Sequence, residues 1–573
     1  MERVLFAPRA LPPLPPDVAQ DPTAYASWAV RHEAARVARA PATGTPPLHL
    51  VMVVDGPAPP QTVETLRSLE RQTVARWTLT IVTHDSINTD VTSILAVSGV
   101  RHSSQRVRIT AVDGASTAVA MLRLGLAQHG SSPVAVIFPG DLWAPDAVDL
   151  LGAALSPAGV AYADEDCRLA DGSLGLPRLK PAYSPDFLLS SPYTGRPLAL
   201  GAELVDRLLA QPAGETSAVE HDLALRACEA ADRVVHVPEV LCHRTLGDDQ
   251  RPTDGEPVVS ALARRGMAAT VTDGPAPHTF HISHHLAGPC TASIIIPLRD
   301  EPRFLRTCID SVDATRGDIA VEYLLIDNGS RQPETATLLD ALSSRPDVHR
   351  LSDDRPFNWA ALNNTAAGTA GGDVLVFLNN DIEATTPGWL STLCAQALRP
   401  EVGVVGARLL YPDRRVQHCG VVLGMGGAAG HVLVGLEADR QGYLQMAVLT
   451  RECAAVTGAC LASRRQVFDA LGGFDESLGV DLNDVDYCLR AQRAGWRVLV
   501  DPAVELVHYE SPSRGTAGDV RDIVNFIDRW EASILAGDPF FNPRLTRVDS
   551  SCALRGPGEK EWWQQWRSTL ARP

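Results

Sequence analysis

The feature that most constrains this 573-residue chain is an internal repeat. Asp486 to His508, DYCLRAQRAGWRVLVDPAVELVH, runs in step with Asp222 to His243, DLALRACEAADRVVHVPEVLCH, with Asp, Leu-Arg and Pro matched. Earlier pieces pair as well: WTLTIVTHDS (Trp77 to Ser86) with VEYLLIDNGS, which ends at Ser330, and VAVIFPGDLWAPDAVDLL with VLVFLNNDIEATTPGWLSTL. Self-similarity spread over so much of a chain predicts two domains of one architecture.

Each half alternates short β-branched runs with helical spacing. In the second half SIIIPL (Ser293 to Leu298), YLLID and VLVFL read as buried strands, and FLRTCIDSV reads as a helix. Continuous apolar strands separated by helices predict a mainly parallel sheet covered on both faces, a doubly wound α/β domain present twice. Ligands of such sheets bind beyond the carboxyl ends of the strands, where Asp327 and Asn379 to Asp381 fall.

With 45% hydrophobic and 21% charged residues, the composition supports sizeable cores and carries no signature of disorder. A net charge of −17 argues against nucleic acid as a partner, while leaving room for a local basic nucleotide pocket. The 11 cysteines form no CxxC pair and no zinc array, and read as reduced, mostly buried thiols. The N-terminal MERVLFAPRALPPLPPD lacks the uninterrupted apolar core of a signal peptide. Gly420 to Leu436 is too short and glycine-rich for a span. These features predict a cytoplasmic protein, at most peripheral at the inner face of the plasma membrane.

The expected organisation is a Pro/Ala-rich leader over 1–45 with one helical piece from Tyr25 to Ala40, a first domain over 46–245, a linker region over 246–289, a second domain over 290–530, and a tail over 531–573. The tail sets Trp562, Trp566 and Leu570 on one helical face, with Trp563 beside it, suited to packing on the body or to a membrane interface. The linker carries His278, His281, His284 and His285, whose alternation reads as an edge strand rather than as a metal-ligand set.

Three polar clusters in the second half carry chemistry. Asp327-Asn328-Gly329-Ser330 is either a ligand-reading carboxylate or a plain turn after a strand. Asn379-Asn380-Asp381-Ile382-Glu383 follows a buried run, where a carboxylate can hold Mg²⁺ or Mn²⁺ shared with substrate phosphates or can simply cap the next segment. Asn483-Asp484-Val485-Asp486 opens a helix, where Asp484 suits a general base and an N-cap equally.

The order SIIIPLRD, IDNGS, FNWAALNNTAAGTAGGDVLVFLNND, VTGACLASRR, GGFDE, NDVDYCLRAQRAGWR, VHYESPSRG resembles the inverting family 2 glycosyltransferases, above all bacterial enzymes that move rhamnose-like sugars onto surface polysaccharides. The resemblance spans about Ala292 to Gly515 and implies an α/β fold of two tandem GT-A (Rossmann-like, mainly parallel sheet) domains. It implies that Asp327 and Pro297 contact the nucleobase of a UDP- or dTDP-linked donor, and that Asn379-Asn380-Asp381 replaces the family's DxD motif. Asp381 would reach a Mn²⁺ or Mg²⁺ cofactor, His508 would stand where some members add a second metal ligand, and Asp484 would be the catalytic base. The implied acceptor is a glycan or lipid-linked hydroxyl. Arg490 reads as a structural partner of a carboxylate.

The first half resembles the same fold with a weaker site. Thr83 falls opposite Asp327, Pro139-Gly140-Asp141 opposite the DxD position, Glu220 opposite Asp484 and His243 opposite His508. This predicts a degenerate domain beside an active one. Alternatives are a bifunctional chain with both domains active and a non-catalytic glycan- or nucleotide-binding scaffold. A sugar nucleotidyltransferase would need a glycine-rich basic loop that PLRDEPRF and VDGPAPP do not provide.

Overall fold

A computed structural model describes residues 17–559 apart from 20, 43, 58–59, 99–105, 213, 246–253, 511–519 and 557. The Trp-rich segment expected as a tail helix, the first part of the leader and the SPSRG motif lie outside the described residues.

The first half builds β1 (Leu48–Val54), β2 (Trp77–His84), β3 (Val107–Val112), β4 (Val134–Val136), β5 (Leu142–Trp143), β6 (Gly159–Arg168), β7 (Leu174–Arg178), β8 (Leu198–Leu200) and β9 (Arg233–Thr245). These form one sheet in the order β3-β2-β1-β4-β8-β6-β9-β5, with β7 added on β6. A hairpin of β10 (Ala269–Asp273) and β11 (Phe280–His284), preceded by helix Glu256–Arg264, occupies the stretch read as a linker.

The second half builds β12 (Thr291–Leu298), β13 (Ala320–Asp327), β14 (Val348–Ser352), β15 (Val374–Leu378), β16 (Ile382–Ala384), β17 (Val402–Leu410), β18 (Val416–His418), the hairpin β19 (Val421–Leu423) and β20 (Ala429–His431), β21 (Arg451–Glu452), β22 (Cys460–Arg464) and β23 (Arg497–His508). Its sheet order is β14-β13-β12-β15-β22-β17-β23-β16, with β18 on β17 and β21 on β23. Apart from β21, this is the first sheet again, strand for strand.

Both sheets are mixed rather than mainly parallel. β1, β2, β3 and β4 run parallel, as do β12 to β15, whereas β8 and β22 run against both neighbours. Such strands are short and buried on both faces, so their apolar pattern reads the same in either direction.

Alternation within strands supplies the cores: Ile294 and Ile296 enter one cluster, and Ile295 the cluster on the opposite face. Helix Pro302–Thr315 begins with proline at its first turn and buries Leu305, Cys308, Ile309 and Val312, an i, i+3, i+4, i+7 stripe against the sheet. Helix Pro22–Val37 covers the strand ends of the first half.

The halves share one apolar cluster, in which Tyr162, Phe187 and Leu204 of the first meet Val416, Tyr443 and Met446 of the second. Polar pairs reinforce this seam. Asp186 is bound by Arg399 at 2.6 Å and Arg497 at 2.5 Å, and Arg497 also reaches Glu452 at 2.8 Å. Burial would raise the Asp186 pKa, yet these two guanidinium groups hold it far below the usual carboxylate range. All 11 cysteines are free thiols. Among the described residues no helix is long and apolar enough to cross a membrane.

Candidate functional site

Three adjacent parallel strands, β13, β12 and β15, end side by side and deliver Asp327, Pro297 and Asn379-Asn380-Asp381 to one edge of the second sheet. Asp327 accepts from the Ser330 backbone N–H at 2.9 Å and from Arg350 at 2.9 Å. Burial would raise its pKa, but these bonds hold the carboxyl below its ordinary value. Asn328 donates to the carbonyls of Asp353 and Arg355, which fixes the turn behind Asp327.

Strand β16 pairs antiparallel with the end of β23, Ile382 opposite His508, and this register brings Asp381 to the imidazole. His508 Nε2 lies 3.2 Å from Asp381 Oδ1 and 3.2 Å from Asn379 Nδ2. Its Nδ1 lies 2.6 Å from Gln417 Oε1. Asn380 is half-buried between its neighbours.

Asp484 opens helix Asn483–Arg493 in the first turn, where free backbone amides and the helix dipole favour an anion. Its Oδ2 accepts from Gly458 N at 2.7 Å and its Oδ1 from Val485 N at 2.8 Å. The same short segment reaches the strand ends: the carbonyl of Ala459 accepts from Asn379 N, and Thr457 N donates to His418. Gly458 leaves no room for a side chain, since a Cβ there would stand 2.8 Å from the Trp359 ring. Asp484, Asn379, Asp381 and His508 therefore converge through Thr457–Ala459 and the β16–β23 pairing. Arg490 pairs with Asp486 at 2.7 Å in the following turn, a structural contact that Arg226 and Asp222 repeat in the first half.

Gln417, His418 and His431 were not singled out by sequence reasoning. Burial holds His418 well below its ordinary pKa, and its ring centroid lies 4.7 Å from that of His431. Gln417-His418 lies between the charged turn Asp413-Arg414-Arg415 and the strand Val421–Leu423, with no motif of its own.

Among the described residues no group of three or more His, Cys, Asp or Glu side chains could hold a metal ion by itself. Asp381 and His508 offer one oxygen and one nitrogen donor, which fits Mn²⁺ or Mg²⁺ bound chiefly through a substrate diphosphate.

The corresponding place in the first half is filled from within. Leu142 stands opposite His243 as Ile382 stands opposite His508, so Asp141 and His243 are the structural counterparts of Asp381 and His508. The Arg196 guanidinium binds Asp141 at 2.9 Å and also Glu220, and lies 3.9 Å over the Phe138 ring. Burial raises Asp141 to about 6 against the pull of Arg196. His243 contacts Asp166 at 2.5 Å and Glu33 of helix Pro22–Val37 at 3.2 Å. Burial pulls its pKa down, yet these two carboxylates raise it to about 10. Tyr25 of the same helix donates to Asp166 at 2.6 Å, and Arg36 binds Asp146 at 2.7 Å.

The register also supports the counterpart of Asp327. Leu79 N donates to the Arg106 carbonyl as Tyr323 N donates to the Asp347 carbonyl, so Thr83, four residues further along β2, stands where Asp327 stands in β13. Thr83 is buried and brings no carboxylate to that place, and His84 beside it binds Asp55 at 2.9 Å.

Fold and site together define a pair of tandem α/β domains of the GT-A kind, one with a carboxylate–histidine pair at its strand ends. The model of the family described as "Glycosyl transferase family 2" matches residues 293–472. A relative from Myxococcus xanthus named "O-antigen biosynthesis protein RfbC" is 36% identical over 96% of this chain and 44% of its own length. An "N-acetylglucosaminyl-diphospho-decaprenol L-rhamnosyltransferase" of Mycobacterium tuberculosis is 30% identical over 34% of this chain and 68% of its own length. A solved structure of GalNAc-T7 with UDP, GalNAc and Mn²⁺ aligns with 45% of this chain and 51% of its own, at 16% identity and a TM-score of 0.38. This chain belongs to glycosyl transferase family 2. It spans less than half the length of the Myxococcus relative.

Proposed function

We propose that the second half is an inverting glycosyltransferase that moves a sugar from a nucleoside diphosphate donor to a hydroxyl of a glycan or lipid-linked acceptor in cell-surface polysaccharide synthesis. The first half is its non-catalytic companion. The observation that carries this reading is that Asp484, which accepts from two backbone amides at a helix N-terminus, and the Asp381–His508 pair, 3.2 Å apart, are brought to the same strand ends.

In this reading Pro297 and Asp327 hold the nucleobase of a UDP- or dTDP-linked donor, with Arg350 and Ser330 keeping the Asp327 carboxylate fixed. Asn379 and Asn380 line the donor beside it. Asp381 and His508 would hold Mn²⁺ or Mg²⁺, which when bound offsets the charge on the departing diphosphate. Asp484 takes the proton of the acceptor hydroxyl as its oxygen bonds to the anomeric carbon and the bond from that carbon to the diphosphate breaks. Attack opposite the leaving group inverts the anomeric centre. The amides of Gly458 and Val485 aim the carboxylate and leave lone pairs for that proton.

The bifunctional alternative would need Asp141 and Glu220 available for chemistry, and both are bound by Arg196.

The test is transfer or hydrolysis from a panel of UDP-, dTDP- and GDP-sugars, with and without Mn²⁺ or Mg²⁺, followed by ¹H NMR of the anomeric product. Cation-dependent nucleoside diphosphate release with inversion, abolished in Asp381→Ala, supports the proposal. Retention, or turnover indifferent to chelation, would overturn it.

A further inference from the structure

Asp484 is the second residue of helix Asn483–Arg493, and the chain on either side of it is fastened to one other helix, Val520–Ala536. That helix turns Phe526, Ile527, Trp530 and Ile534 into the apolar cluster that holds Val485, Tyr487 and Cys488. Asp522, in its first turn, is buried too, and a buried carboxylate needs hydrogen-bond partners. Its partners are two backbone amides just ahead of Asp484. Val480 N at 2.8 Å and Asp481 N at 3.0 Å both donate to Asp522 Oδ2.

Beyond Asp484, the Asp486 side chain is fully buried. Its Oδ1 accepts from the Arg529 guanidinium at 2.8 Å and from the Trp530 indole at 3.0 Å, two turns further along the same helix as Asp522. Between these anchors the backbone is strained. Leu482 holds φ 61° and ψ 7°, a left-handed conformation that a leucine keeps only where its surroundings impose it. The bonds from Gly458 and Val485 orient the Asp484 carboxylate once the backbone is in place, but they do not hold this turn.

We infer that Asp522 and the Arg529–Trp530 pair are positioning residues for Asp484, which together fix the strained turn that aims its carboxylate. A proton acceptor displaced by about 1 Å loses about 10²-fold in rate, so a turn of this kind has to be held from both ends.

The first half is fastened at one end. Asp254, just ahead of helix Glu256–Arg264, accepts from Ser217 N at 3.2 Å and from the Thr216 hydroxyl at 2.9 Å, before the helix that carries Glu220. Asp222, the counterpart of Asp486, is bound by Arg226 of its own helix. Among the described residues helix Glu256–Arg264 gives Asp222 no donor, and its Arg264 binds Glu229 at 2.7 Å. The second fastening thus belongs to the half whose acidic residue is not taken up by an arginine.

The inference rests on the proposed function for what Asp484 does, and the test separates the two. Full-length Asp522→Ala, Asp522→Asn and Arg529→Met are compared with Asp484→Asn by nucleoside diphosphate release, by calorimetry of UDP with Mn²⁺, and by amide hydrogen exchange. Asp522→Ala should lower kcat by about 10- to 100-fold. Its UDP affinity should stay within about twofold, because Asp327, Asp381 and His508 stand on other elements. Asp522→Asn keeps an acceptor oxygen and should recover most of kcat. Arg529→Met leaves the Trp530 bond in place and should lose less than Asp522→Ala. Exchange between Leu478 and Tyr487 should quicken by about tenfold in Asp522→Ala and in Arg529→Met, with β12 and β13 unchanged. Wild-type kcat in folded Asp522→Ala would overturn the inference, as would equal losses of kcat and UDP affinity, or an Asp522→Asn protein as impaired as Asp522→Ala. If Asp522→Ala does not fold, Arg529→Met decides by the same criteria. If Asp484→Asn turns over like wild type, the base reading fails. Exchange then decides alone: quickening between Leu478 and Tyr487 supports the fastening, and unchanged exchange overturns it.

Discussion

The two halves repeat the same strand order and the same parallel and antiparallel pairings, yet they differ in what fills the space at the strand ends. In the second half Asp381 faces a histidine held between amides. In the first, Asp141 faces the guanidinium of Arg196, and His243 is pinned between Asp166 and Glu33. One fold thus supports two differently filled sites, because the sheet supplies only the places at which side chains meet. In the first half the chain itself supplies a cation at that place. A buried guanidinium between two carboxylates satisfies the charge that an ion would otherwise satisfy, and helix Pro22–Val37 covers what remains.

The comparison can be broken first at the base. Asp484→Asn should lower kcat by about 10²- to 10⁴-fold with the fold intact, measured as nucleoside diphosphate release under saturating donor. The corresponding change in stability belongs to the first half. Arg196→Ala leaves Asp141 buried beside Glu220 without a counter-charge and should cost about 3–5 kcal/mol in urea denaturation, with no loss of kcat in the folded fraction. At the nucleobase end, Asp327→Ala should raise the donor KM by about tenfold with a smaller change in kcat, the size of one hydrogen bond to a charged group.

The smallest effect is a pH dependence. His243 is raised in the fold to about 10, above its ordinary 6.5, so the stability it adds is full below about pH 6.5 and is lost as pH rises through about 10. His243→Gln should flatten the decline in denaturation midpoint across that window.

The repeat was legible because Asp, Leu-Arg and Pro recur at helix starts and strand bends, where each has a local mechanical role. Asp222 with Arg226 and Asp486 with Arg490 form the same i, i+4 pair. The strand ends carrying Asp327 and Asn379-Asn380-Asp381 were legible for a similar reason, since a polar run after VLVFL marks where the strand ends. The direction of β8 and β22 was not, because strands of three and five residues carry no signal of which way they run. Nor was the reach of helix Pro22–Val37 to Asp166 and His243, which only the fold brings together. Arg196 and Gln417 were hidden for the same physical cause. Their partners, Asp141 and Glu220 for the one and His508 for the other, are brought to them by the fold and not by neighbouring sequence.

Counting cations tests most directly the proposal that only one of the two matching sites does the chemistry. Equilibrium dialysis of Mn²⁺ with UDP present should give one ion per chain, lost in Asp381→Ala and retained in Glu220→Gln. Two ions per chain, or a single ion that survives Asp381→Ala, would contradict it.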